Sequence, residues 1–333
     1  MAGLKIGLDM GTSSIKVCSG GRKGMKEIPG IAAVDTVSGK VLAYGEQAAE
    51  AAGRTPDTLT TVRVMRDGVI CNYSLMEYMV RDITDRLCGQ RILKPVIVGS
   101  VSVGVTSLEK KTVLDVLYAA GAAKAYLIEE PVASAIGVYG LEPSPAGRAV
   151  LDIGAGSADC AIVTMNSVAV SRSIPMAGDA MTDRLMEYLA RERNILIGRA
   201  EAERLKRTLA NAVMRTEEIA LVSGGKKQSG EAVSFEVTTT EMRFVLKDCF
   251  AAIRKLVADV FDEAPPELVG DITENGILLT GGSAAIYGLD AFLSRATGLQ
   301  VTVPEQPSHR VIAGIRRVLP ALQQPEKAGF LFS

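Results

Sequence analysis

One short pattern occurs twice in this chain, and it restricts the fold more than any other feature. The first copy is Leu4-Lys5-Ile6-Gly7-Leu8-Asp9-Met10-Gly11-Thr12-Ser13-Ser14-Ile15-Lys16-Val17. The second is Ala149-Val150-Leu151-Asp152-Ile153-Gly154-Ala155-Gly156-Ser157-Ala158-Asp159-Cys160-Ala161-Ile162-Val163. Each reads as an apolar strand up to an aspartate, a turn of glycine and hydroxyl residues, and a second apolar strand. Asp9 and Asp152 stand 143 residues apart, which predicts two similar halves facing one ligand. Glycine lets a backbone approach closely, and turn amides with hydroxyls can point at an anion. Taken singly, either turn also reads as an ordinary glycine-containing β-turn.

Composition narrows the classes. With 333 residues the chain has room for two domains and an ample core. Its net charge of −1 argues against nucleic acid as a partner. No apolar run reaches the roughly 18 residues that span a bilayer, and the immediate entry into a strand predicts no signal peptide. The five cysteines, Cys18, Cys71, Cys88, Cys160 and Cys249, are scattered without a CxxC, a pattern that suits reduced thiols and a cytoplasmic location. A zinc centre or a histidine-dependent nucleophile would have to rest on the single histidine, His309.

Periodicity and punctuation organise the rest. Residues 20–68 read as a loop-rich inserted lobe with strands at 31–34 and 41–44 and a helix at 45–52, returning through Asp67-Gly68. Leu75, Met79, Ile83 and Leu87 recur every four residues on a helix at 74–88. The valine-rich stretch 95–105 predicts a strand buried on both faces. Thr106 and Glu109 form a capping box for the helix that follows. A short strand at 125–128 leads into Glu129-Glu130-Pro131 and a helix at 132–139, with Pro131 in the first turn. The Pro/Gly stretch 140–147 reads as the boundary between halves. Beyond it lie predicted strands at 149–153, 159–164 and 167–174, helices at 179–191 and 199–210, and a β-rich stretch at 218–238 turning at Gly-Gly-Lys-Lys 224–227. A helix at 240–262 capped by Thr240 follows, ending before Pro265-Pro266. An apolar strand then enters Thr280-Gly281-Gly282-Ser283, whose bare backbone would let a flat ring lie against it. A strand at 300–303, a helix from Ser308 to about Leu319 and an irregular tail close the chain.

The two hairpins, Glu129-Glu130-Pro131 and the Thr280-Gly281-Gly282 turn, in this order, resemble the actin-like ATPase superfamily. Within it the MreB family of bacterial actins is the nearest likeness. That closer match is carried by Gly53-Arg54-Thr55-Pro56, by Val62 to Ile70, by Leu127-Ile128-Glu129-Glu130-Pro131-Val132-Ala133-Ser134-Ala135-Ile136-Gly137, and by Leu278-Leu279-Thr280-Gly281-Gly282-Ser283 with Gly288-Leu289. It extends from residue 4 to about 319.

The resemblance implies an α/β, actin-like (ribonuclease H-like) duplicated fold, two domains around a nucleotide cleft. Domain I would take residues 1–144 plus 307–333, with a small lobe at about 20–66; domain II would take 145–306, with its own at about 178–240. It implies ATP and Mg²⁺ as cofactors, with Asp9 and Asp152 on the hydrated metal. Gly11, Thr12 and Ser13 would form one phosphate loop, and Gly154, Ala155, Gly156 and Ser157 the other. Catalysis would fall to Glu130, orienting the attacking water, with Ser157 and Asp152 beside it; phosphoryl transfer needs charge neutralisation and a placed water more than a covalent nucleophile. Alone, Glu130 reads first as an acidic residue favoured at a helix N-terminus; in the company of the other motifs the resemblance gives it the catalytic role. Glu203, Lys206 and Arg207 match a helix that meets ribose and adenine, and they read also as a plain ion-paired face. Gly281, Gly282 and Ser283 would close the nucleoside side.

Four departures stand out: Ala158 where the family usually has a second threonine, Ala155 and Ser283 within its glycine runs, and Ser102 where Val-Pro is usual. Ala158 and Ser102 bear on turnover, so slow, Mg-dependent hydrolysis is the expectation. Self-assembly into filaments of paired protofilaments, scaffolding cell-shape machinery, follows from the resemblance. Met1-Ala2-Gly3 is too short for a membrane-binding helix. Ile92 and Leu93, flanked by Arg91 and Lys94, read either as a peripheral contact with the inner face of the membrane or as residues tucked under the first domain. A rival reading is a non-filament assembly or chaperone ATPase of the ethanolamine-utilisation or pilus-assembly kind, whose first motif resembles Asp9 to Val17.

Overall fold

The computed structural model describes residues 4–20, 24–52, 58–89, 93–323 and 329–333. Gly53-Arg54-Thr55-Pro56 and Ile92 lie outside the described residues.

The repeated pattern folds as two hairpins of one design. Lys5–Met10 pairs antiparallel with Ser14–Ser19, and Arg148–Ile153 pairs antiparallel with Ala158–Thr164. Each turn is closed by the same backbone bond, Gly11 N to Ser14 O at 3.1 Å and Gly154 N to Ser157 O at 3.0 Å.

Each hairpin sits at the centre of a five-stranded sheet. One sheet runs Lys124–Glu129, Val96–Val101, Lys5–Met10, Ser14–Ser19, Lys26–Pro29. The other runs Val301–Thr302, Ile277–Thr280, Arg148–Ile153, Ala158–Thr164, Ser167–Ile174. In both, the first three strands are parallel to one another and the last two are added antiparallel. The duplication therefore covers whole sheets.

Two helices, Glu130–Tyr139 and Arg310–Ala321, pack on each other between the sheets. Val98 and Ile128 of one sheet and Val150, Val163 and Leu278 of the other share a core with Val132, Ile136, Ile312, Ile315 and Leu319 of these helices. The helices approach through glycine. A Cβ on Gly314 would lie 1.8 Å from the Ala133 carbonyl oxygen, and one on Gly137 would lie 2.3 Å from the Arg310 carbonyl oxygen.

Each half carries a small antiparallel sheet, Ile31–Asp35 with Val41–Tyr44 and Leu59–Arg63 in the first, Ile195–Leu196 with Ile219–Lys226 and Ala232–Thr238 in the second. Among the described residues no helix is long and apolar enough to cross a membrane.

Several expected boundaries move, each for a local reason. The valine-rich strand ends at Val101 rather than 105, because Ser102 turns away toward the second half. Thr238, not Thr240, caps the long helix Thr239–Glu263, accepting from Glu241 N at 3.1 Å, while Thr240 donates to Glu217 at 2.6 Å. Gly224, Gly225 and Lys226 continue a strand instead of turning. Ser308 does not cap; it bonds His309 Nδ1 within a 3-10 turn, and the helix starts at Arg310 and runs through Pro320. A helix at Pro266–Asn275 follows the Pro-Pro pair, since proline is well placed in a first turn. The tail is not wholly irregular: Phe332 pairs with Leu127 at the edge of the first sheet.

Candidate functional site

The site forms where the two hairpin turns meet. Both aspartates stand one residue before the end of the first strand of their hairpin, and both are buried, Asp9 and Asp152 each 5% exposed. The second phosphate-type loop rests directly on the first half. A Cβ on Gly156 would stand 2.3 Å from Thr12 Oγ1 and 2.9 Å from the amides of Asp67 and Gly68. The Thr12 hydroxyl in turn accepts from the Gly68 amide at 3.2 Å. Ser13, at the tip of the first turn, is exposed.

Glu130 opens the helix that is sandwiched between the sheets and lies half-buried below these turns. Ser100 Oγ stands 3.4 Å from Glu130 Oε1 and 3.3 Å from Asp9 Oδ1, and accepts from Met10 N at 3.1 Å. Beside Glu130 is a pocket of about 100 Å³, lined on its apolar side by Met10, Met65, Val69, Ile70, Val101 and Val113. Burial, followed by the charges of Asp159, Asp9 and Asp152, pushes the Glu130 carboxyl well above the usual carboxylate range. Asp152 is pushed up to about 6, chiefly by burial, although Thr280 Oγ1 at 2.7 Å and Ser134 Oγ at 3.2 Å donate to it. A group of carboxylates that resist ionisation together is a site short of positive charge.

The residues that the resemblance assigns to a nucleoside also lie close together. Ser283 Oγ donates to the Gly154 carbonyl at 3.0 Å, and the Gly178 amide donates to the same carbonyl at 3.1 Å. Lys206 Nζ, buried, bonds the Gly178 carbonyl at 2.7 Å and Glu203 Oε2 at 2.6 Å. Burial lowers the Lys206 pKa; burial would raise that of Glu203, but Lys206 and Arg207 hold it down to about 2. The ion-paired reading of this helix holds, and its lysine points inward beside the loop. Arg207 pairs with Glu203 at 2.9 Å but is itself largely exposed. Gly281 has φ +87° and lies against Ile153, where a Cβ would meet its carbonyl oxygen at 2.3 Å; a side chain is excluded twice over. Gly282 is exposed, with no atom near its missing Cβ.

Sequence reasoning missed four groups. Lys16 pairs with Asp9 at 3.2 Å; burial would lower its pKa, but Asp9 and Glu27 raise it, so the ammonium stays charged. Asp159, 1% exposed, accepts from Ser157 Oγ at 2.9 Å and from Ser102 Oγ at 2.6 Å. At the cleft mouth Arg63 Nη1 reaches Asp179 Oδ2 at 2.8 Å. A signal was present for the first two. Hairpin register sets Lys16 opposite Asp9 and Asp159 opposite Asp152, each charged residue following its aspartate by the same interval.

The profile of the MreB/Mbl protein family matches residues 3–327. The chain belongs to the MreB/Mbl family. Relatives within it include the cell shape-determining protein Mbl of Bacillus subtilis, 34% identical over 313 residues and covering 93% of each chain. The cell shape-determining protein MreB of Escherichia coli is 32% identical over 336 residues, covering 98% of this chain and 96% of its own. Among solved structures, MreB5 of Spiroplasma citri bound to AMPPNP superposes with TM-score 0.93 at 28% identity, covering 99% of both chains. The MamK double helical filament, 20% identical, shares the fold with TM-score 0.80 over 96% of this chain and 99% of its own. The duplicated architecture of this MreB/Mbl member is thus the actin-like fold that the resemblance implies.

Proposed function

We propose that this chain is an ATP-binding bacterial actin of the cell-shape machinery, which polymerises and hydrolyses ATP slowly. One observation carries the reading: two hairpin turns of identical construction meet across a cleft, with Gly156 against Thr12 and Glu130 beneath them. Turn amides and hydroxyls on both sides suit a polyphosphate held between them. The likeness to MreB5, solved with AMPPNP, supports a nucleotide at that place.

The carboxylates fit a hydrated divalent cation. Asp9 and Asp152 arrive from opposite halves and Asp152 is held high by burial and negative neighbours. Mg²⁺ keeps several waters and is commonly held by one or two carboxylates together with phosphate oxygens, a need that two aspartates can meet. Such an ion supplies charge neutralisation on the phosphates. Asp152→Asn should weaken Mg²⁺-dependent ATP affinity about tenfold, the order of one charged contact. Equal affinities of the wild-type and Asp152→Asn chains for ATP in the presence of Mg²⁺ would remove Asp152 from that role.

In this reading Glu130 accepts a proton from the attacking water, and Ser157 helps place it. Lys206 and Glu203 face the nucleoside, with Gly281, Gly282 and Ser283 across from them. Nucleotide held by both halves fixes their angle, and a filament contact that prefers one angle links assembly to nucleotide state. The sharing of its fold with MamK, solved as a double helical filament, supports assembly. Sedimentation and electron microscopy with ATP and Mg²⁺ test it. Filaments are the expected result; a chain that stays monomeric at high concentration favours the non-filament assembly ATPase instead.

We place the protein in the cytoplasm, at the inner face of the membrane when polymerised. Leu93, 50% exposed beside Lys94, supports this, and many weak contacts along a filament would bind by avidity.

A further inference from the structure

The hydroxyl of Ser102 crosses from the first half to the second. The strand Val96–Val101 ends there, and Ser102 Oγ, in a residue 4% exposed, donates to Asp159 Oδ1 at 2.6 Å. Asp159 belongs to the other half, on Ala158–Thr164. Its second oxygen accepts from Ser157 Oγ at 2.9 Å, and Ser173 supplies a further hydroxyl. Packing is close on both flanks. A Cβ on Gly104 would stand 2.7 Å from Ser173 Cβ, and one on Gly68 would stand 3.2 Å from Ser157 Oγ.

This arrangement decides which way the Ser157 hydroxyl faces. A serine hydroxyl has one proton to donate, and that of Ser157 is committed to Asp159. What Ser157 still offers is lone pairs, so a water meeting it must donate to it and keeps its own lone pair free for attack. Burial raises the Asp159 pKa and the three hydroxyl donors oppose that rise; when ionised, the carboxylate they surround is the stronger acceptor, since hydrogen bonds to an ionised group are the short, strong ones.

We propose that Asp159 and Ser102 are positioning residues for hydrolysis: Asp159 fixes Ser157 as an acceptor toward the attacking water, and Ser102 holds Asp159 in that role only while the two halves are closed. This rests on the ATPase reading above. In the step, the water oxygen bonds to the γ-phosphorus as the bond to the β-phosphate oxygen breaks, and ADP keeps that electron pair. One water proton goes to Glu130; the other, hydrogen-bonded to Ser157, stays on the released phosphate. The floor of the cleft thereby reports its closure to the loop that performs the chemistry. The second tie, Arg63 to Asp179 at the mouth, has an arginine side chain 36% exposed and does not touch Ser157.

Single-turnover hydrolysis by the full chain, with saturating ATP and Mg²⁺, tests the proposal. Ser102→Ala should slow it about tenfold, the order of one charge-assisted hydrogen bond, and Ser102→Thr should restore it. Asp159→Asn should slow it at least as much, because its amide can donate to Ser157 and reverse that hydroxyl. On a Ser157→Ala background, Ser102→Ala should add nothing. An additive loss there would make Ser102 merely structural and overturn the proposal, as would a Ser102→Ala rate equal to wild type. The tie is read separately, without turnover, from the release of a fluorescent ADP, which Ser102→Ala should speed several-fold; unchanged release overturns the tie. A wild-type chain that turns over no ATP removes the hydrolysis reading and the positioning role with it, while ADP release still decides the tie.

Discussion

Glu130→Gln is expected to slow ATP hydrolysis about a hundredfold or more, the usual scale for loss of a general base, while leaving ATP binding within a few-fold of wild type. The glutamine keeps the shape of the side chain at the start of the helix Glu130–Tyr139 and so keeps the packing between the sheets. It removes one negative charge from a neighbourhood that already holds Asp9, Asp152 and Asp159, so nucleotide affinity should hold or rise. The pH profile carries the same argument. Glu130 must be ionised to accept a proton, and burial with negative neighbours raises its pKa. Below that pKa the group is protonated and idle, so the rate should climb with pH over a range displaced above that of an ordinary carboxylate. In the glutamine variant this climb should vanish. Phosphate release at the wild-type rate, with the same pH profile, would remove Glu130 from the chemistry.

Gly314→Ala is expected to destabilise the fold by on the order of 3 kcal/mol. The added Cβ would sit 1.8 Å from the Ala133 carbonyl oxygen, and that neighbour is backbone, which has no rotamer to escape into. The two central helices would have to separate. They are held closely at two points, since Gly137 meets the Arg310 carbonyl in the same way, and their side chains join both sheets into one core. With roughly 2.1 cal/mol/K of unfolding entropy per residue, such a loss lowers the thermal midpoint by about 4 °C. Gly270→Ala is the control. Gly270 lies within the helix Pro266–Asn275 with nothing within 4 Å of its missing Cβ, so alanine there should be neutral or stabilising by up to about 1 kcal/mol. Equal midpoints for the two variants would show that the helix crossing tolerates separation.

The hairpins, the Glu130-Pro131 helix start and the Thr280-Gly281-Gly282 turn were legible from residues alone because each is a local pattern. A strand ending in aspartate, a turn of glycine and hydroxyls, and a proline in a first turn are written within about a dozen residues. Their order along the chain was enough to indicate the duplicated fold, which the MreB/Mbl match and the MreB5 superposition show. Element ends were less legible. Thr240 and Ser308 have the right chemistry to cap, but each spends its hydroxyl on a neighbour, Glu217 and His309 respectively.

Contacts between distant segments required the tertiary structure. Ser102 is a small polar residue after a strand until folding sets it 2.6 Å from Asp159. The raised pKa of Glu130 arises because folding buries its carboxyl and then sets it near Asp159, Asp9 and Asp152 of the two hairpins. The sequence by itself determined that two like halves exist and that each is built on the same aspartate-and-glycine hairpin, since hydrogen-bonded turns and buried strands follow from neighbours in the chain. The tertiary structure alone decided how the halves touch, through Gly156 on Thr12, Arg63 on Asp179 and Ser102 on Asp159. Those contacts depend on where two sheets and the helices between them come to rest, a property of the packed core that no single stretch encodes.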